Sequence, residues 1–145
     1  MRLWHYELLP YLPDAQFKGQ LRELVAIMRD WRDKGTTNHL LINRVMDFTP
    51  RNLTAYFMCY EKEYKKRYGE PINNLLVLEF ITFAGETKLY CAPFKGWHCY
   101  EYLRVCMANL YEKHIFGIGK SRITDEEWAG LCEGYKAITG EEYEI

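Results

Sequence analysis

The sequence predicts a mainly α, single-domain bundle of about five to six helices, and three local patterns carry that prediction. Phe17, Leu21, Leu24, Met28 and Trp31 recur at spacings of four, three, four and three, which is the apolar stripe of a helix. Thr49-Pro50 is a helix start signal, followed by a stripe of Leu53, Phe57, Tyr60 and Tyr64 that runs to Gly69. Thr124-Asp-Glu-Glu127 is a capping box, with Gly140 as the matching stop. A chain of 145 residues can bury about two-thirds of its unfolded surface in one core, so residues 1–145 are read as one domain.

Taken in order, Asp14 reads as the N-cap of a first helix over 14–32 that stops before Lys34-Gly35, and a shorter helix is expected over 37–46. The third helix starts at Thr49-Pro50 and ends in a basic turn, Lys62 to Arg67, that suits the negative end of the helix dipole. The segment 73–94 is ambiguous. Its run Leu-Leu-Val-Leu-Glu-Phe-Ile-Thr-Phe and the following Lys88-Leu-Tyr-Cys-Ala fit either a buried helix and loop or a small β-hairpin near residues 75–92, and β-branched and aromatic content favours the hairpin. A helix from Gly96 to about Lys113 should turn Tyr100, Leu103, Met107, Leu110 and Tyr111 inward, and the last helix opens at Thr124. Of the aromatics, Phe17, Trp31 and Phe57 are assigned to the core, while Trp4 and Trp97 fall outside the periodic stripes.

Composition excludes several classes. No stretch approaches 18 uninterrupted apolar residues, and the first residues lack the pattern of a signal peptide, so a cytoplasmic protein with no membrane partner is expected. Cysteines at 59, 91, 99, 106 and 132 form no C-x-x-C pair, and His5, His39, His98 and His114 are scattered. Neither a disulfide framework nor a metal site follows from that spacing, and most of the cysteines are read as buried thiols. No cofactor fingerprint is present; Gly117-Ile-Gly119-Lys120-Ser121 lacks the upstream glycine of a phosphate loop and reads as a turn. The net charge of −1 and pI of 6.4 argue against tight non-specific nucleic-acid binding. Charge is nevertheless uneven, with Arg2, Lys18, Arg22, Lys34, Arg44 and Arg51 in the first third and Asp125-Glu-Glu127 and Glu141-Glu142 late.

The chemistry-bearing residues concentrate at the start. Glu23 borders the buried stripe of the first helix, where packing can hold a carboxylate in place. Met1-Arg-Leu-Trp, the Leu12-Pro-Asp14 turn and Arg22-Glu23-Leu24 together resemble the pyrimidine-dimer DNA glycosylase family, and the likeness extends through His39-Leu-Leu-Ile-Asn-Arg44 and Arg67-Tyr68-Gly69. The resemblance implies an essentially helical fold, damaged double-stranded DNA as the partner, and two linked steps, base removal and abasic-site cleavage. It implies a terminal amine as the nucleophile, here that of Met1, because Arg2 is too bulky for the initiator Met to be removed; the best-known phage member instead exposes a small residue. It also implies that Glu23 carries the acidic role, that Arg22 with Gln16 and Gln20 binds phosphate or sugar, and that Arg2, Trp4, His5, His39 and Arg44 complete the DNA-facing set. Two other readings fit the near-neutral charge: a non-catalytic interaction protein on the same fold, and a related enzyme acting on a nucleotide or nucleoside.

Overall fold

The computed structural model describes residues 2–37, 43–85 and 92–145, and among them every regular element is helical. Five α-helices are present: α1 (Asp14–Lys34), α2 (Pro50–Tyr68), α3 (Asn74–Ala84), α4 (Tyr100–Phe116) and α5 (Asp125–Thr139). Short 3-10 turns at Tyr6–Tyr11, Asn43–Asp47 and Gly119–Ser121 connect them. No helix among the described residues is long and apolar enough to cross a membrane.

The segment expected as a hairpin is helical through Ala84. Asn73 supplies the reason at its start, its Oδ1 accepting from Leu75 N at 2.8 Å, and Gly85 closes the far end in the left-handed region. Tertiary packing overrides the strand preference: Phe80 lies stacked on Phe57 of α2 at 4.0 Å between ring centroids, and Thr54 Oγ1 donates to the Phe80 carbonyl. The later half of the proposed hairpin, 86–91, lies outside the described residues, as do 38–42 of the short helix expected over 37–46, whose remainder is the Asn43–Asp47 turn.

Other boundaries shift for local reasons. Asp14 is the first residue of α1, not its cap, and its carboxylate accepts from Tyr68 at 2.5 Å and pairs with Lys18 one turn on. The helix expected from Gly96 starts at Tyr100, since residues 94–99 form a turn in which Phe94 and Gly96 hold φ of 57° and 92°. Tyr100 accordingly faces outward at the helix start and is 52% exposed. The capping box forms as read, with Thr124 and Glu127 exchanging hydrogen bonds across the first turn of α5.

One contiguous apolar core joins the helices, centred on Phe17, Leu24 and Met28 of α1, Leu53, Phe57 and Tyr60 of α2, Phe80 of α3, and Leu103, Met107 and Leu110 of α4. Trp31 is only half-buried and sits at the rim, edge-on to Phe83. Of the four described cysteines only Cys106 is fully buried, and Cys99 is exposed. Arg67 does more than offset a dipole. Its guanidinium donates to the carbonyls of Leu9, Pro10 and Leu12 and lies 4.1 Å above the Phe17 ring, tying the first 3-10 turn to α2.

Candidate functional site at the amino-terminal segment

Residues 2–6 run between α1, α2 and α4, and most main-chain polar groups of this stretch have a side-chain partner. Gln20, 1% exposed on α1, is the hub. Its Oε1 accepts from Trp4 N at 2.9 Å and from the Tyr56 hydroxyl at 3.0 Å, while its Nε2 donates to the Arg2 carbonyl at 2.8 Å and to Glu23 Oε2 at 3.2 Å. Tyr56 also donates to the Trp4 carbonyl, and Tyr102 of α4 donates to that of Leu3. Burial pushes both phenols' pKa values up, so they stay protonated donors at any physiological pH.

Glu23 completes the clamp: the main-chain N–H of Arg2 donates to its Oε2 at 3.0 Å. Gln20 and Glu23 can share this duty because residues three apart face the same way on a helix. The Arg2 guanidinium turns the other way, donating to Asn109 Oδ1 at 3.1 Å and approaching the Trp4 ring at 5.8 Å.

Beside the clamp opens a cleft of about 670 Å³ lined by Trp4, Gln16, Gly19, Arg22 and Glu23 together with Lys18, Lys113, Lys120 and Ser121. Four cationic side chains thus meet two carboxylates, Glu23 and the Asp14 that pairs with Lys18, in one concavity that is net positive in a chain whose net charge is −1. Such a groove favours a polyanion, and the carboxylate at its edge gives it a place for proton transfer.

The residues expected at the site divide into three groups. Trp4, Gln16, Arg22 and Glu23 line the cleft, and Arg2 and Gln20 hold the segment that leads into it. His5 is fully buried and its ring is committed elsewhere: Nδ1 accepts from Glu7 N, so Nε2 carries the proton and donates to the His98 carbonyl. Its ring therefore anchors the segment and does not line the cleft. Arg44 is exposed on the Asn43–Asp47 turn, apart from the cleft lining, and Met1 and His39 lie outside the described residues. Sequence reasoning missed Lys113, Lys120 and Ser121 because folding alone joins them to α1. It also passed over Tyr56, hidden among the core aromatics. Lys18, counted above among the basic residues of the first third, lies four residues before Arg22 and so on the same helical face. No group of residues among those described could hold a metal ion.

The fold and site define an all-α protein that lays its amino-terminal segment against a helix-borne carboxylate at the edge of a basic cleft. The family model for pyrimidine dimer DNA glycosylase matches residues 1–73, half of the chain, spanning the clamp residues of α1 and α2. The chain belongs to the pyrimidine dimer DNA glycosylase family, a family of DNA repair glycosylases. No curated protein and no solved structure matches it. The matched segment ends at Asn73, so Tyr102, Asn109, Lys113 and Lys120 belong to the half of the chain that the family model does not cover.

Proposed function

We propose that the protein removes a damaged base from duplex DNA and cleaves the resulting abasic site, using the α-amine of Met1 as nucleophile. The observation that carries this reading is the hydrogen bond from Arg2 N to Glu23 Oε2 at 3.0 Å. Two bonds separate the main-chain nitrogen of residue 2 from the α-carbon of residue 1, and a third reaches the amine. The amine is therefore tethered through three covalent bonds to the nitrogen that Glu23 holds. An α-amine titrates near pH 7.7–8.0, so a useful fraction is unprotonated at neutral pH.

In the proposed reaction the amine lone pair attacks C1′ of the damaged nucleotide. The C1′–N bond breaks with its electron pair going to the base, and opening of the sugar ring leaves a protonated Schiff base. Loss of the C2′ proton then expels the 3′ phosphate by β-elimination. Glu23 supplies the negative charge that stabilises the cationic intermediate and the oxygen that moves protons between these steps. Lys18, Arg22, Lys113 and Lys120 hold the phosphates on either side.

The test is borohydride trapping on abasic-site duplex with protein whose free Met1 is verified by mass spectrometry. A reduced adduct mapping to Met1 supports the reading, and an adduct found only on a lysine, or none above a control protein, overturns it. Glu23→Gln keeps an acceptor for Arg2 N while removing the charge. Turnover should fall by about 10²-fold with folding retained, and unchanged turnover removes Glu23 from the mechanism.

A further inference from the structure

The wall of the cleft contributed by α4 ends in a feature that phosphate binding does not use. Phe116 and Ile118 are 80% and 84% exposed and Ile115 is 48% exposed, three apolar side chains within four residues. They stand between Lys113 and Lys120, both of which line the cleft. We propose that this tip is an apolar wedge that enters the base stack of the duplex seated in the cleft; the proposal rests on the DNA reading above.

The loop holds its shape without a ligand. Gly117 N and Ile123 N both donate to the Lys113 carbonyl, Ser121 Oγ donates to that of Ile118, and Arg122 N to that of Gly119. Gly117 is required where it stands, because a Cβ there would lie 2.1 Å from the Lys113 oxygen. The loop is also registered to the clamp. Gln16 Nε2 donates to the Ser121 carbonyl at 2.9 Å, and Gln16, Gln20 and Glu23 follow one another at spacings of four and three along one face of α1. An exposed tip with a fixed backbone at a fixed offset from Glu23 loses little entropy when it is buried.

The chemistry of its surroundings selects the occupant. Lysines on both sides of an apolar pair match alternating phosphates and apolar base faces, and DNA-deforming proteins drive such side chains between base steps. An acidic peptide would satisfy the lysines and leave Phe116 and Ile118 in water. The tip lies outside the segment matched by the family model.

The experiment uses the full chain and a duplex carrying a tetrahydrofuran abasic analogue, which cannot form a Schiff base, with 2-aminopurine beside it. Binding of the parent should raise 2-aminopurine emission as the step unstacks. Phe116→Ala combined with Ile118→Ala should abolish that rise and weaken binding by about tenfold, the scale of one buried apolar side chain. The dependence of affinity on salt should stay as in the parent, because no cation is removed. Phe116→Leu should restore part of the rise. An unchanged rise in the double variant overturns the wedge while leaving the DNA reading intact. If the parent dimerises and the double variant is monomeric with emission unaffected, the tip is a self-association surface and the wedge is again overturned. Absence of any salt-dependent binding by the parent removes the DNA reading itself, and the wedge with it.

Discussion

Replacing Gln20 with Leu tests whether the clamp is what fixes the amino-terminal segment. Leu matches the side-chain volume and suits the apolar surroundings, but it removes four hydrogen bonds. Their partners are not equally affected. Tyr56 keeps the Trp4 carbonyl, and Glu23 keeps Arg2 N. Among the described residues Trp4 N and the part-buried Arg2 carbonyl have no other partner, and an unsatisfied buried group costs about 1–3 kcal/mol. Two such groups, partly offset by the apolar gain, give a loss of about 3 kcal/mol, or a melting temperature lower by roughly 10 °C for a chain of this size. Urea unfolding followed by circular dichroism measures the loss, and cleavage of abasic-site DNA by the same preparation should fall along with it. If stability changes by less than about 0.5 kcal/mol, the clamp is not what orders residues 2–4 and its role in presenting the terminus is wrong.

Arg22→Ala should weaken binding of damaged duplex and make the log–log salt slope shallower by about one unit, as expected for one lost phosphate contact; an unchanged slope removes Arg22 from the interface. Gly134 of α5 packs so closely on Tyr11 that a Cβ there would meet the ring at 2.4 Å. Gly134→Ala should cost about 1–3 kcal/mol in denaturant unfolding despite the better helix propensity of Ala, and a stabilised variant would show that Tyr11 moves freely aside. Burial lowers the His5 pKa from 6.5 to about 4 and that of His98 well below 6.5. Between those limits the unfolded chain binds more protons than the folded one, so the stability these rings contribute is complete above pH 6.5 and is lost as pH falls toward 4. The slope should approach about 1.4 kcal/mol per pH unit for each ring. Proton NMR titration should find both rings neutral near pH 5.5, and two normal titrations centred on 6.5 would contradict their burial.

The parts of this fold that were legible in the sequence are those fixed by local chemistry. The α1 and α2 stripes, the Thr124 capping box and the glycines that close helices depend on residues three or four apart, and each forms as read. The hairpin failed as a reading because Phe80 gains more from stacking on Phe57 than its neighbours' strand preference is worth, a contact 23 residues distant. At the site, Arg22, Glu23, Gln16 and Gln20 were found through the resemblance and lie on one helix. Lys113 and Lys120 reach the same cleft through packing that no spacing reveals. His5, expected in the DNA-facing set, is instead buried, its ring donating to the His98 carbonyl and its main-chain N–H to the Cys106 sulfur, contacts with α4 and the turn before it that no local spacing reveals.

The seat of residues 2–6 is assembled from Gln20 and Glu23, from Tyr56, and from His98, Tyr102, Cys106 and Asn109. During translation the first residues leave the ribosome long before Asn109 has been made, so the end of the chain that emerges earliest is among the last to find its place. A nascent chain holding only the 1–73 segment already carries Glu23, Gln20 and the basic face of α1, yet it lacks the Tyr102 hydroxyl that donates to the Leu3 carbonyl and the Asn109 oxygen that accepts from the Arg2 guanidinium. The same long-range closure makes the order of the first turn dependent on α4, so a truncation after α3 should leave the amino terminus loose even if α1 and α2 pair.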